Sequence, residues 1–354
     1  MSGHMASSYL RYVNVSISTF LDECDGPILD VRSPAEFQRG HIPGAISFPL
    51  FSDQERALVG TTYKHRGADE AMLLGLDLVG PKMSSFIFKA REIAPKRKVR
   101  IHCWRGGQRS QSMAWLLRQG GMEVNLLNGG YKAYHQWVNE GLDLPLPFLI
   151  LGGYTGSAKT QVLQRMRELG AQVIDLESMA HHKGSAFGNL EALDQPHTEH
   201  FANLVWEELR KLNHQRVIWL EDESKTIGSV YLYEGLYRAI RTNQLIFIER
   251  DKRERATFLA KDYGHVPIDL LKHGFEKITK RLGHEKVQEA VEAINHGDLI
   301  TAASIGLAYY DKTYEYGLKK REKSSVIRVD TVGKSITETA EILIAQEKSW
   351  KKLN

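Results

Sequence analysis

Short runs of β-branched and apolar residues alternate with longer segments of helical period along the first part of the chain. The runs are Ile28-Leu29-Asp30-Val31, Ala45-Ile46-Ser47-Phe48, Val99-Arg100-Ile101-His102 and Val124-Asn125-Leu126-Leu127. Between them, segments such as Ser110 to Gln119 and Tyr131 to Glu140 carry the spacing of amphipathic helices. Strands alternating with helices predict an α/β domain built on a mainly parallel sheet. The stretch Leu142 to Pro147 breaks the pattern, because Pro145 and Pro147 resist both helix and central strand. A new apolar strand, Phe148 to Leu151, starts at once, which places a domain boundary near residue 145. The alternation then repeats, with strands expected at Gln172 to Asp175, Val217 to Leu220 and Leu245 to Ile248. After about residue 252 the chain turns helical and charged as far as Ile344, with one strand expected at Ser325 to Val329. The expectation is therefore two α/β domains, 9–144 and 145–354, the second with a helical C-terminal part.

Length supports the division, since 354 residues exceed the roughly 250–300 that one core serves. Hydrophobic residues at 42% and charged residues at 25% are enough for two cores and exclude a disordered chain. The formal charge of +4 permits a polyanionic partner without demanding one. Cationic residues are unevenly spread: Arg91, Lys96, Arg97, Lys98, Arg100, Arg105 and Arg109 cluster around Cys103. With only Cys24 and Cys103 in the chain, a disulfide framework is excluded and a reducing cytoplasm is the expected compartment. No apolar run in the sequence approaches the roughly 20 residues that span a bilayer, and no signal-peptide pattern opens the chain, so no membrane is expected. The opening Met1-Ser2-Gly3-His4-Met5 reads as a cloning remnant.

Two loops carry the chemistry. The strand at Val99 to His102 runs into Cys103-Trp104-Arg105-Gly106-Gly107-Gln108-Arg109, and Ser110 opens a helix. A cysteine there has its thiolate favoured by backbone N–H groups and the helix dipole, and Arg105 and Arg109 are expected to add to that field. The segments Asp30-Val31-Arg32-Ser33-Pro34-Ala35-Glu36-Phe37 and Gly40-His41-Ile42-Pro43-Gly44-Ala45, taken with this loop, resemble the rhodanese family over most of residues 9–140. On physical grounds Asp30 and Arg32 can pair, Ser33-Pro34 can open a helix and Gly44 can make a tight turn, so these residues are assigned to structure. The resemblance implies that Cys103 carries sulfur or selenium. His102-Cys103 followed by Arg109-Ser110 also fits the pattern of cysteine-dependent phosphatases, and the loop alone leaves both readings open.

The second loop is Gly153-Tyr154-Thr155-Gly156-Ser157-Ala158-Lys159-Thr160, between the strand Phe148 to Leu151 and the helical Gln161 to Leu169. Its backbone N–H groups can surround phosphate oxygens, Lys159 adds charge and Thr160 can ligate Mg²⁺. The glycine expected before the lysine is Ala158, so nucleotide binding in the usual manner does not follow. Downstream, Glu221-Asp222-Glu223-Ser224 ends a strand, and Asp222 and Glu223 are candidates for holding Mg²⁺ or a water, with Lys225 their nearest cation in sequence. In the polar loop after the second strand of this domain, His182, Lys183 and Ser185 suit contact with an anion. His181-His182 lacks the partners for zinc, and no metal site is assigned.

A rhodanese domain joined to this altered P-loop domain, with His182-Lys183-Gly184-Ser185-Ala186-Phe187-Gly188 and Glu221-Asp222-Glu223-Ser224 in place, closely resembles the bacterial tRNA 2-selenouridine synthases along nearly the full chain. Lys183, where an arginine is expected in that family, keeps the charge. The resemblance implies a cytoplasmic transferase acting on tRNA that carries 2-thiouridine at the wobble position. It implies no tightly bound cofactor, selenophosphate and geranyl diphosphate as co-substrates, an S-geranyl intermediate, and an enzyme that supplies selenophosphate as a partner. Cys103 would carry selenium as a selenosulfide or guide selenophosphate. Trp104 could stack on the extruded base. Arg250, Lys252, Arg253 and Arg255, or Lys319, Lys320 and Arg321, could track phosphates. The alternatives are a phosphatase or a generic sulfurtransferase using the Cys103 loop, a P-loop kinase or ATPase, and a module that only binds tRNA.

Overall fold

The computed structural model describes residues 13–182 and 194–350. The chain divides into two compact units, Met1–Gly141 with Ala202–Leu204, and Leu142–Phe201 with Val205–Asn354.

The first unit holds a five-stranded sheet of β1 (Val13–Val15), β2 (Ile28–Asp30), β3 (Ile46–Ser47), β4 (Lys98–His102) and β5 (Glu123–Leu127), in the order β1-β5-β4-β2-β3. Every pairing is parallel, and Asp30 lies opposite His102. Leu29, Ile101, Met113, Leu117 and Leu126 pack in its core. The signature segment behaves as its residues require. The buried Arg32 guanidinium donates to both Asp30 carboxylate oxygens (Nε at 2.9 and 3.0 Å). Ser33 precedes the helix Pro34–Arg39, and Gly44 takes a φ of +79° in the turn before β3. The edge strand β1 escaped the sequence pattern because it is three residues long, has Asn14 at its centre and leaves Val13 56% exposed.

Residues 50–95, which carried no strand signal, form the helices Asp53–Arg66, Ala68–Val79 and Met83–Ile93. The last two run on through a single 3₁₀ turn, and the continuous stretch Ala68–Ile93 is, by length and composition, apolar enough to cross a membrane. This corrects the expectation that no such segment exists. Asp77 and Gly80-Pro81-Lys82 interrupt the run in the sequence, yet Pro81 sits near the start of the 3₁₀ turn, where its missing N–H costs little. Lys82, near the middle, pairs with Glu55 of the preceding helix at 2.5 Å.

In the second unit β6 (Phe148–Gly153), β7 (Gln172–Ile174), β8 (Ile218–Glu221), β11 (Leu245–Glu249) and β12 (Val326–Asp330) form a wholly parallel sheet in the order β12-β11-β6-β8-β7. A small antiparallel hairpin, β9 (Thr226–Ile227) and β10 (Val230–Tyr231), lies apart from it. The central β6 is buried along its whole length, as a strand covered on both faces should be. Chain crossovers on both sides of β6 leave a crevice at its carboxyl end, where α/β sheets bind ligands. The expected helical part is largely an insertion between β11 and β12. Its helices include Lys252–Asp262, Ile268–Lys277, His284–Asn295 and Leu299–Leu318, with an apolar cluster of their own around Leu271, Phe275, Ile294 and Ala302.

Candidate functional site

In the first unit Cys103 follows directly on β4 and is 3% exposed. Its loop is shaped by close backbone packing. Gly106 has a φ of +68°, and a Cβ on Gly130 would collide with the Cys103 carbonyl and the Gly106 nitrogen. Tyr131 N donates to Cys103 O at 2.8 Å and Lys132 N to Trp104 O at 2.9 Å, which fastens the loop to the turn after β5. The helix Gln108–Gln119 begins behind Gly107, which has no side chain to cap it, so the first backbone N–H groups remain available to an anion. Cys103 Sγ lies 3.2 Å from Ser110 Oγ, and Ser110 donates to Gly107 O at 3.0 Å. With Ser110 so engaged, a thiol donates to Ser110 Oγ; on loss of its proton the hydroxyl can rotate and donate to the thiolate instead.

Arg109 does not act as expected. Arg109 forms a two-pronged pair with Glu36, Nη1–Oε2 at 2.6 Å and Nη2–Oε1 at 3.2 Å, so its charge is compensated rather than directed at the thiolate. Burial pushes the Glu36 carboxyl up, but Arg109, the Ser33 N–H and Arg56 together hold it below the ordinary range. Glu36 Oε2 also accepts from Ser33 N at 3.1 Å, so the signature helix and the cysteine loop share one anchor. Arg105 is exposed and Gln108 likewise, while Trp104 is half-buried with its ring 5.8 Å from that of Tyr131.

The phosphate loop of the second unit is formed despite its alanine. Ala158 takes φ 61° and ψ 33°, the left-handed conformation a glycine would adopt there, at a cost of about 1–2 kcal/mol. Gly156, at φ +81°, could not be replaced without a side chain meeting Arg255 O at 2.9 Å, and a Cβ on Gly153 would meet Ser157 Oγ at 2.6 Å. Ala158 thus keeps the backbone shape of the loop without the glycine. Ser157 Oγ donates to Tyr154 O at 2.5 Å and Lys159 Nζ to Gly153 O at 3.1 Å, which curl the loop over the start of the helix Lys159–Glu168. That helix has no side-chain cap, so its leading N–H groups face the loop's interior.

Around this loop lies a cavity of about 1020 Å³, lined by Thr155, Lys159, Thr160, His182, Asp222 and Glu223 among others, with Tyr263, Tyr309, Tyr310 and Tyr314 on its helical side. Thr160 Oγ1 donates to Glu177 Oε2 at 3.3 Å, and Glu221 Oε2 accepts the Glu177 N–H at 3.1 Å. Burial pushes the carboxyls of Glu221 and Glu223 well above the usual range, and the charge on Glu177 adds to both shifts. Glu177 itself is raised by burial, with Lys159 acting against that. Glu221 Oε1 has no hydrogen-bond partner among the described residues. Sequence reasoning missed Glu177 and Glu221; the acidic Asp175-Leu176-Glu177 at the end of β7 was the signal that could have found the first.

Asp222 corrects the expectation of a metal or water ligand. Its Oδ1 accepts from Arg321 Nη2 at 2.6 Å and Arg241 Nη1 at 3.1 Å, and its Oδ2 from Tyr314 OH at 2.8 Å. It is a buried clamp; Glu223, the other acid of that pair, lines the cavity and shares a side-chain hydrogen bond with Glu177. Tyr314 OH in turn accepts the Gly153 N–H at 3.3 Å, so the clamp reaches the phosphate loop. Lys225 pairs with Glu234 at 2.7 Å instead of with these acids. Two residues expected to track phosphates are likewise withdrawn. Arg321 is held in this clamp, and the buried Arg255 pairs with Asp311 at 2.8 Å while donating to Thr155 O. Burial holds the His182 pKa below the ordinary imidazole value, so at pH 7 it offers a hydrogen bond and no charge. Lys183 and Ser185 lie outside the described residues. Among the described residues no three His, Cys, Asp or Glu side chains converge as metal ligands.

Comparison with known proteins covers both loops. Residues 16–136 match the family model described as a rhodanese-like domain, and residues 146–342 match that of the tRNA 2-selenouridine synthase AAA domain. A tRNA 2-selenouridine synthase of Marinobacter nauticus is 32% identical over 342 residues, covering 86% of this chain and 91% of its own. That of Salmonella typhi is 33% identical over 340 residues, with 86% and 92% covered, and that of Bordetella petrii 33% over 350 residues, with 86% and 90%. A match of this extent takes in both the cysteine loop and the phosphate loop, and the chain belongs to the tRNA 2-selenouridine synthase family.

Proposed function

We propose that this chain converts 2-thiouridine at the wobble position of tRNA into 2-selenouridine in the cytoplasm. Geranyl diphosphate and selenophosphate are the co-substrates, and the reaction passes through an S-geranyl intermediate. The observation that carries the reading is a formed phosphate loop, Ala158 included, that opens on a cavity with an aromatic side. The thiocarbonyl sulfur is a soft nucleophile, so its attack on the allylic carbon chiefly needs alignment and a stabilised diphosphate leaving group. Lys159 and the open N–H groups of the following helix supply that stabilisation. A magnesium ion arriving with the diphosphate would be held by Thr160 and the adjoining acids Glu177 and Glu223. Alkylation turns the sulfur into a leaving group, so selenium of selenophosphate attacks C2 of the base, geranyl thiol departs with a proton, and hydrolysis of the P–Se bond releases phosphate.

Cys103, at an uncapped helix N-terminus with Ser110 beside it, guides selenium in that second step. Trp104 is the stacking platform for the extruded base, and an enzyme that makes selenophosphate is the natural partner. The phosphatase reading is weaker on one specific ground: the arginine its pattern requires over the thiolate, Arg109, is paired with Glu36. The test is mass spectrometry of nucleosides from 2-thiouridine tRNA incubated with geranyl diphosphate and, separately, selenophosphate. Lys159→Ala should slow geranyl transfer about ten- to a hundredfold, the worth of one charge-assisted hydrogen bond, with the fold intact. Full-rate geranyl transfer by that variant would put the diphosphate elsewhere.

A further inference from the structure

Beside the phosphate-loop cavity, the second unit holds a smaller one of about 70 Å³ among the inserted helices. Its walls are aliphatic and aromatic, with Leu271, Phe275, Ile294, Ala302, Gly306 and Leu307 in its depth. Thr155 of the phosphate loop, together with Leu259, Tyr263 and Tyr310, lines both cavities, so the apolar one adjoins the larger at the edge of the phosphate loop. Interiors are normally filled to the density of organic crystals, and a space lined this way does not hold water.

Gly306 shows how the space is kept. It is buried in the helix Leu299–Leu318, where glycine weakens the helix relative to alanine. Nothing in the packing demands it, because a Cβ there would meet only the Phe275 ring, at 3.5 Å. What the missing side chain provides is open volume next to Phe275.

We propose that this cavity receives the far end of a short branched hydrocarbon chain whose other end carries the diphosphate on the phosphate loop, and that Gly306 sets the chain length accepted. The proposal rests on the reading of the phosphate loop given above and adds the tail site to it. At about 70 Å³ the cavity is about half the roughly 150 Å³ of an apolar cavity that binds benzene. It therefore takes only the branched end of a terminal isoprene unit, a few carbons, with the rest of the chain lying at the shared mouth, and leaves no room for a longer chain.

The test is calorimetric binding of inorganic diphosphate and of dimethylallyl, geranyl and farnesyl diphosphates to the full chain, as wild type, Gly306→Ala and Gly306→Leu. The wild type should bind geranyl diphosphate at least about tenfold more tightly than inorganic diphosphate, and more tightly than the farnesyl ester. Gly306→Leu should bind inorganic diphosphate as the wild type does, lose about tenfold or more for the geranyl ester and come to prefer the dimethylallyl one. Gly306→Ala, the milder change, should shift the ranking in the same direction. Wild-type affinities for the geranyl ester in both variants would overturn the tail site while leaving the phosphate loop standing. A wild type that binds no diphosphate at all would overturn the phosphate-loop reading and the tail site with it.

Discussion

Replacing Asp222 with alanine separates a clamp from a catalytic ligand. The Asp222 side chain is 6% exposed and that of Arg321 1%, so the change leaves a buried guanidinium without its counter-charge, held only by the backbone carbonyls of Ile240, Arg241 and Asn243. Tyr314 loses its acceptor in the same step, and the partly buried Arg241 loses its charged partner. Breaking a buried pair by removing one member costs about 3–5 kcal/mol, a large share of the roughly 5–15 kcal/mol that holds a domain together. At about 2–4 °C per kcal/mol for a unit of this size, the second unit should melt roughly 6–20 °C lower. Calorimetry resolves such a shift readily. The double variant Asp222→Leu with Arg321→Met should recover part of the loss, because it removes the stranded charge. If Asp222→Ala melts as the wild type does but has lost turnover, Asp222 is a ligand of metal or water after all, and the clamp argument fails.

Glu221 gives a pH dependence with a definite sign. Burial first, and the charge of Glu177 second, hold its folded pKa well above the roughly 4.3 of an unfolded glutamate, so its stabilising contribution is complete below that value and is lost as pH rises through the folded one. Glu221→Gln should therefore resist urea better than wild type at pH 8 and differ little at pH 4; an equal difference at both would contradict the assignment. Affinity for tRNA should fall steeply with salt as phosphate contacts release counterions, and a filter-binding curve unchanged between 50 and 200 mM salt would speak against a nucleic-acid substrate.

The strand, loop and helix around Cys103 and around Lys159 were legible in the sequence because each is contiguous, and local pattern carries contiguous structure well. What the sequence did not reveal depends on pairs far apart in the chain. Glu36 meets Arg109 across 73 positions and Asp222 meets Arg321 across 99, so neither arginine's true engagement could be read from its neighbours. Ala158 failed as a sequence match yet holds the loop's backbone shape, since the motif rule records a residue preference where the physical need is a left-handed φ. Tyr314 gave no signal, because its hydroxyl acquires meaning only when the helix Leu299–Leu318 brings it to Gly153.

The division of labour between the two loops is tested most directly by the nucleosides that Cys103→Ala produces. On the proposed mechanism alkylation would use the substrate's own sulfur and the phosphate loop and need no protein thiol, whereas selenium transfer would need Cys103 beside the uncapped helix N-terminus. Given 2-thiouridine tRNA, geranyl diphosphate and selenophosphate, the variant should accumulate S-geranyl-2-thiouridine and form little or no 2-selenouridine by mass spectrometry. Formation of 2-selenouridine at the wild-type rate, or loss of geranylation along with it, would contradict the account.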